Sequence, residues 1–475
     1  MTGGRATTIR RQWWAWAIAV LVIVVAVAPL VQQWLTNPDD QRLVDLDVYR
    51  TGGQMILQGR PVYEFATPAP QLLPFTYPPI AAMLAVLLAK MSWDTAQWVW
   101  TAGVFLSLAV VVAYSFRGVL VGRGPGGGTG DEHTAGTEDS ANSAPGTAGE
   151  ERACGIDVET GSSTEAPVKD SGGNAAGLDT GGKAPGSDAG GGTLRQGVAG
   201  GGVERYAPWV FAFLVVACAY LMPIRDQVRF GQVDILLVAL CLVDCVARRP
   251  WWPRGFLIGL ATAVKLTPGV FLIYLLVTRQ WRTFFMAAFA AALLTLLPFL
   301  VIPHDAAGFW FSALFDPERL GANAATTNQS IRGMLIRLYM NDTVTSVLWI
   351  GLVAVVGWYG FRGARDAYRA KDPMTAVALV GLMAVLLSPV AWIHHLAWVV
   401  VVLGAIVGDG RDPVRLRVAV GVWLYYVLPV PWWGVALKVA GVPVLDKIVQ
   451  DGFGLGALGL VWLLVAWLPK RRDLA

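Results

Sequence analysis

Long apolar runs recur along this chain, separated by short charged interruptions. "WWAWAIAVLVIVVAVAPLV" (Trp13–Val31) and "FFMAAFAAALLTLLPFLVI" (Phe284–Ile302) are apolar on every face. A helix on a soluble core would show a polar stripe with a 3.6-residue period. These runs instead approach the ~20 residues that a helix needs to cross ~30 Å of hydrocarbon. The pattern predicts an all-α, polytopic transmembrane protein. The first run is too long for the apolar core of a signal peptide, and "PLVQQW" after it offers no small-residue cleavage site, so a retained helix is expected.

Basic residues lie between the runs in clusters: 9–11, 116–123, 247–254, 279–282, 361–371, 410–417 and 469–472. Positive charge marks the cytoplasmic side, and crossing between successive clusters gives about twelve spans with both termini inside. They fall near 13–33, 97–117, 207–222, 233–247, 253–267, 269–279, 283–302, 343–361, 373–390, 396–408, 416–433 and 452–468. Pro268 divides one long run into two short helices, because it removes a helix hydrogen bond. The apolar piece 78–90 would upset the parity if it crossed, so it reads as re-entrant. The loops left on the outer side are 34–76, 223–232, 303–342, 388–395 and 434–451.

Composition sharpens this picture. The chain is 55% hydrophobic and 15% charged, with a net charge of +4. Residues 118–205 hold 25 of the 53 glycines and few large apolar side chains. Such a stretch cannot bury enough surface to offset its conformational entropy and is expected to be a disordered cytoplasmic insert without catalytic function. It divides the chain into a first transmembrane part, 1–117, and a second, 206–475. Without it the membrane body carries 31 basic and 20 acidic residues, a net +11 that suits anionic lipid head groups. Four cysteines lie in apolar or low-complexity sequence. Cys241 and Cys245 share a helix face but lack His or carboxylate companions, so they read as small packing residues.

The unusual polar residues gather on the predicted outer side. Asp45, Asp47, Tyr49 and Arg50 follow the first span, and "FTYPP" (75–79) precedes the next apolar piece. "PIRDQVRFGQVD" (223–234), "TTNQSIRGMLIR" (326–337) and "SPVAWIHH" (388–395) complete the set, with Lys265 inside "TAVKLTP". A charge near a helix end can simply snorkel to the interface, and that reading suits Arg50, Arg229 and Arg337. Lys265 sits ten residues into an expected span, where an ammonium is costly and usually serves an anion or a pathway. One loop supplies carboxylates, and four other places supply Arg225, Lys265, Arg332, His394 and His395. A carboxylate can take a proton from an attacking hydroxyl while cations stabilise a departing phosphate. A transporter would need similar charges. Asn328-Gln329-Ser330 also fits a glycosylation acceptor, a pattern too common to carry weight.

In order along the chain, "DLDVYRTGG…LQGRPVY", "LPFTYPPIAAML", "GQVDILLVAL", "TAVKLTP", "NQSIRG" and "SPVAWIHH" resemble glycosyltransferase family 87 of the GT-C superfamily. The likeness is to actinobacterial polyprenyl-phosphate-mannose-dependent α-(1→2)-mannosyltransferases that build phosphatidylinositol mannosides and lipomannan, and it covers all but the insert. It implies a GT-C membrane fold whose active site lies on the outer face, and an inverting transfer of mannose from the lipid-linked donor to a mannoside glycolipid or lipoglycan. It places the general base at Asp45 and the donor phosphate among Arg225, Lys265, His394, His395 and Arg332. It assigns sugar, acceptor or lipid-phosphate contacts to Asp47, Tyr49, Tyr77, Gln232, Asn328 and Gln329. Asp47 departs from the histidine common in relatives, which leaves it a second carboxylate, an optional metal ligand or an acceptor contact. No metal site is assigned, although carboxylates at i and i+2 permit a divalent ion. Membrane lipids are the expected partners, and nucleic acid is not; the chain has no P-loop, as suits a donor without a nucleotide.

Two other readings fit these residues. A decaprenyl-phosphoryl-arabinose-dependent arabinofuranosyltransferase of the same family shares the layout. A lipid-linked-sugar transporter would use Lys265 and the outer charges as a relay, but internal repeats of the kind transporters carry are not evident.

Overall fold

The computed structural model describes residues 3–38, 42–69, 71–121, 201–316, 319 and 321–473. The expected insert falls mostly outside them: the short helix Arg117–Val121 ends the first part, and helix begins again at Gly201. Among the described residues there is no sheet, only two isolated bridges, Ala66–Pro74 and Asn328–Trp392.

The first part holds α1 (Gly3–Leu35), α2 (Val44–Leu57), α3 (Pro79–Ala89), α4 (Trp93–Ser115) and α5 (Arg117–Val121). Next come α6 (Gly201–Ala219), α7 (Met222–Phe230), α8 (Asp234–Val246), α9 (Phe256–Val264) and α10 (Val270–Val277). Then follow α11 (Trp281–Val301), α12 (Pro303–Phe311), α13 (Ile331–Ile336) and α14 (Asp342–Arg369). The chain closes with α15 (Pro373–Leu386), α16 (Val399–Val407), α17 (Pro413–Val427), α18 (Val430–Val439), α19 (Leu445–Gln450), α20 (Gly452–Trp462) and α21 (Leu468–Asp473).

At the centre stand α15 and α16. Every residue from Met374 to Leu386 is buried, as are Val399 to Ile406, which is where helices apolar on all faces must go. Around them pack α4, α8, α10, α14, α17 and α20. The outermost helices turn apolar side chains outward instead, as at Phe285, Phe289, Leu293, Leu296 and Leu300 on α11. That surface suits acyl chains and no aqueous solvent.

Helix length supports five crossings: Trp13–Gln33, α4, α11, α14 and Gly452–Arg472. Counting the bent pairs α6–α7 (75°) and α17–α18 (48°) raises this to seven. The protein is therefore a multi-pass helical membrane protein, but the roughly twelve spans expected from charge alternation are not confirmed. The other expected crossings fall on α8, α9, α10, α15 and α16, of 8 to 14 residues, each ~12–21 Å long and short of ~30 Å.

Several expected loops are helices. In 34–76 lies α2, whose Leu46, Tyr49 and Gly53 form one buried stripe and Val48, Gly52 and Met55 the next. Its buried face packs on α3, and a Cβ at Gly53 would lie 2.6 Å from the Ala85 carbonyl, so only glycine lets the helices approach this closely. The expected 223–232 loop is α7, and 303–342 contains α12 and α13. The break at Pro268 is present, as a single 3-10 turn over Thr267–Gly269 between α9 and α10.

Candidate active site

A cavity of about 700 Å³ opens where α2, α7, the α9–α10 break and the turn before α16 converge. Asp45 lines it from the first turn of α2. The chain enters that helix through Leu43 in a left-handed conformation (φ 46°), 1% exposed, so the entry is held by packing. Half-buried Asp45 is pushed up to about 7, first by burial, against the stabilising amide of Gln232 and charge of Lys265. A carboxyl so placed can accept a proton near neutral pH.

Gln232 is in turn set by two phenols. The Tyr49 and Tyr77 hydroxyls lie 2.8 Å apart, and each lies 3.2 Å from Gln232 Oε1. One phenol donates to the other, which donates to the amide oxygen. Tyr77 lines the cavity, whereas Tyr49 supports it from behind.

The second pole is an ion cluster. Lys265 Nζ donates to Asp234 Oδ1 at 2.7 Å and lies 2.9 Å from His395 Nε2. His394 Nε2 is 3.8 Å from Asp234 Oδ2. Lys265 is not inside a helix, contrary to expectation: it follows α9 in extended conformation (φ −149°, ψ 133°) at the break. The hairpin of α8 and α9 explains the pairing, since α8 leads away from Asp234 and α9 returns to Lys265. Its far end is closed by Asp244, whose Oδ2 accepts the amides of Gly255 and Ile258 at the start of α9.

The histidine turn is held from three directions. Trp392 N donates to His395 Nδ1 at 3.0 Å, which leaves Nε2 facing Lys265. Gln227 Nε2 donates to the His394 carbonyl at 2.8 Å, and Ala391 N donates to Asn328 Oδ1 at 3.0 Å.

Asp45, Tyr77, Gln232, Lys265, His394 and His395 are thus brought together around one cavity. Other expected site residues are not. Asp47 does not line the cavity; it lies beside Arg50 and Thr51, and burial raises its carboxyl. Arg225 on α7 is also off the wall, although its charge reaches Asp226, which does line it. Arg332 stacks over the Trp349 ring at 5.7 Å, away from the expected donor phosphate. Asn328 and Gln329 are 0% exposed, which also rules out Asn328 as a glycan acceptor. Asn328 Oδ1 takes Ser330 N, Ser330 Oγ and Ala391 N, while Gln329 bridges Thr326, Gln450 and Gly454. Both are joists under the histidine turn. Arg337 does not snorkel: it is 3% exposed, pairs with Asp451 and donates to the Ala325 and Asn328 carbonyls.

Asp234 is one residue that sequence reasoning missed, and Asp226 and Arg319 on the cavity wall are two more. Asp234 heads an otherwise apolar stretch two positions after Gln232, and an intramembrane lysine needs a counter-ion, so the signal was available. With His394 and His395 it forms a triad whose ligand atoms lie within 4.8 Å of one another, a spacing that could hold a metal. Lys265 Nζ, however, contacts both Asp234 and His395, so an ammonium already fills the place a dication would take.

A multi-pass helical membrane protein with a carboxylate at one pole of a cavity and a lysine–histidine cluster at the other is built for transfer chemistry at a membrane. The chain belongs to glycosyltransferase family 87, whose family model matches residues 75–138 and 190–389; Asp45 precedes the matched region. It is 30% identical to a polyprenol-phosphate-mannose-dependent alpha-(1-2)-phosphatidylinositol mannoside mannosyltransferase of Mycolicibacterium smegmatis, over 76% of this chain and 68% of the relative. The protein of that name from Mycobacterium tuberculosis is 32% identical over 75% and 68%. A pentamannoside mannosyltransferase of M. smegmatis is 29% identical over 52% and 56%. No solved structure matches the chain.

Proposed function

We propose that this glycosyltransferase moves mannose from polyprenyl-phosphate-mannose to a phosphatidylinositol mannoside or related lipoglycan, forming an α-(1→2) linkage. The observation that carries the proposal is the pairing of Asp45 with the Lys265–His394–His395 cluster across one cavity, in a chain whose relatives use that donor. Asp45 takes the proton of the acceptor hydroxyl as its oxygen attacks the anomeric carbon. The anomeric C–O bond to phosphate breaks from the opposite face, and its electron pair leaves with the phosphate. A β-linked donor therefore gives an α-linked product. The leaving phosphate goes from one negative charge to two, and Lys265 with the histidines stabilises the charge that develops. General base assistance of this kind contributes about 10²–10⁴ in rate.

The basic clusters in the other loops favour a cavity at the outer face of the cell membrane with both termini in the cytoplasm, an orientation that requires an even number of crossings. The lipid-linked donor and glycolipid acceptor then meet within the leaflet, in a GT-C arrangement.

The test is transfer from synthetic polyprenyl-phosphate-mannose to a phosphatidylinositol mannoside by purified wild type, beside Asp45→Asn. Product from wild type and none from a folded variant supports donor and base together. Activity only with decaprenyl-phosphoryl-arabinose would keep the base and overturn the sugar.

A further inference from the structure

Gly231, Gln232 and Val233 form the turn between α7 and α8, and Asp234 opens α8 at its end. We infer that this turn is a ruler: Gln232 and Asp234 are positioning residues, one orienting Asp45 and the other holding Lys265, so the turn fixes the spacing between base and donor phosphate. The inference rests on the mannosyl-transfer reading of the same cavity.

The turn lies directly on the first turn of α2. Gly231 has φ +73°, and a Cβ there would lie 2.9 Å from Leu46 Cβ and 3.3 Å from Leu43 Cβ. It is also tied in place: Trp100 Nε1 donates to Gly231 O at 2.8 Å, and the amides of Gly231 and Gln232 both donate to Gln227 O. Val233 is 7% exposed and packs into the core, while the residues on either side serve the two poles.

With its oxygen facing the phenols, Gln232 has its amide nitrogen left to donate to the Asp45 carboxylate. The other groups acting on Asp45 are Lys265 from the α9–α10 break, Asp234 from α8, Tyr49 from α2 itself and Tyr77 before α3. Asp234 holds Lys265 through Oδ1 alone; Oδ2 is buried with no hydrogen-bond partner among the described residues. One oxygen does the positioning, so an asparagine can do most of it.

The experiment uses the full chain and two readouts: equilibrium binding of decaprenyl phosphate, and the pH profile of mannose transfer. Asp234→Ala weakens decaprenyl phosphate binding at least about tenfold, while Asp234→Asn comes back to within about threefold of wild type. Gln232→Leu moves the acid limb upward by about one pH unit, because a donor to the carboxylate is lost, and shifts lipid-phosphate affinity less than about twofold. An Asp234→Asn variant as weak as Asp234→Ala, or a Gln232→Leu variant with an unmoved limb, overturns the assignment. Wild type that binds decaprenyl phosphate but transfers no mannose refutes the mannosyl-transfer reading, and the Asp234 role is still read from binding. Wild type that binds no decaprenyl phosphate overturns both.

Discussion

Asp45→Asn should cost activity and gain stability, and the gain should depend on pH. The Asp45 carboxyl stands near 7 in the folded chain against an ordinary value of 3.8. A displacement of that size corresponds to about 4 kcal/mol for a wholly buried group. Asp45 keeps partial contact with solvent, and screening brings this to about 2–4 kcal/mol. The folded state holds a proton that the unfolded state has released between pH ~4 and ~7, so stability falls as pH rises through that window. Above it the full penalty applies to wild type, and asparagine, which cannot ionise, escapes it. Thermal unfolding in one detergent should therefore place Asp45→Asn several degrees above wild type at pH 8, with the difference nearly gone at pH 4. Over the same range wild-type kcat/KM should fall about tenfold per pH unit below ~7, since only the ionised carboxylate accepts a proton. Mannose transfer by the variant should drop by about 10²–10⁴. A stability difference that is the same at both pH values, or a variant that retains full transfer, would refute the reasoning.

Three further perturbations separate the parts of the site. Lys265→Met leaves the Asp234 carboxylate buried without its cation and should destabilise the chain by about 3–5 kcal/mol. Adding Asp234→Leu should recover most of the melting temperature but no transfer; a double variant as unstable as the single would show that the ion pair is not the source. Asn328→Ala strands the Ala391 and Ser330 amides, while the Ser330 hydroxyl keeps the Pro389 carbonyl, and should cost about 2–4 kcal/mol, with kcat falling more than donor affinity as the histidine turn loosens. Arg332→Ala should keep donor affinity and transfer within about twofold, since its guanidinium packs on Trp349 outside the cavity, and a tenfold loss in a donor titration would return it to the phosphate site.

Lys265 was legible because an ionisable residue in apolar sequence is costly and so informative. Asp45, the histidine pair, Tyr77 and Gln232 came with the family motifs around them. What was not legible was direction. Asp47 and Asp45 are two residues apart, which on a helix turns them to opposite sides, and α2 lies in a segment that charge alternation assigns only as the loop between two apolar runs. Arg332 and Arg337 are alike as residue types; only the fold sends one to Trp349 and buries the other on Asp451. Asn328 and Gln329 come from the family motif as expected contacts, yet their hydrogen bonds are taken up within the protein.

The difference between the expected spans and the number of long helices has a physical cause in the same cavity. In hydrocarbon a backbone can leave helical geometry only where protein or an enclosed cavity takes up the freed amides and carbonyls. Four breaks fall where the site needs side chains: at Lys265, at Thr267–Gly269, at Gly231 and at Ser388–Trp392. The turn before α16 shows how such a break is compensated. Asn328 Oδ1 accepts from the Ala391 amide, Gln329 N donates to the Ala391 carbonyl, and Gln227 Nε2 donates to the His394 carbonyl. Charge alternation counts apolar runs between basic clusters and treats each as a crossing. It has no way to register that a run has been cut short so that its end can aim a lysine or a histidine inward. The ion cluster is accordingly built at the ends of short elements, Asp234 opening α8, Lys265 following α9 and the histidines in the turn before α16, and none of the five long crossings contributes to it.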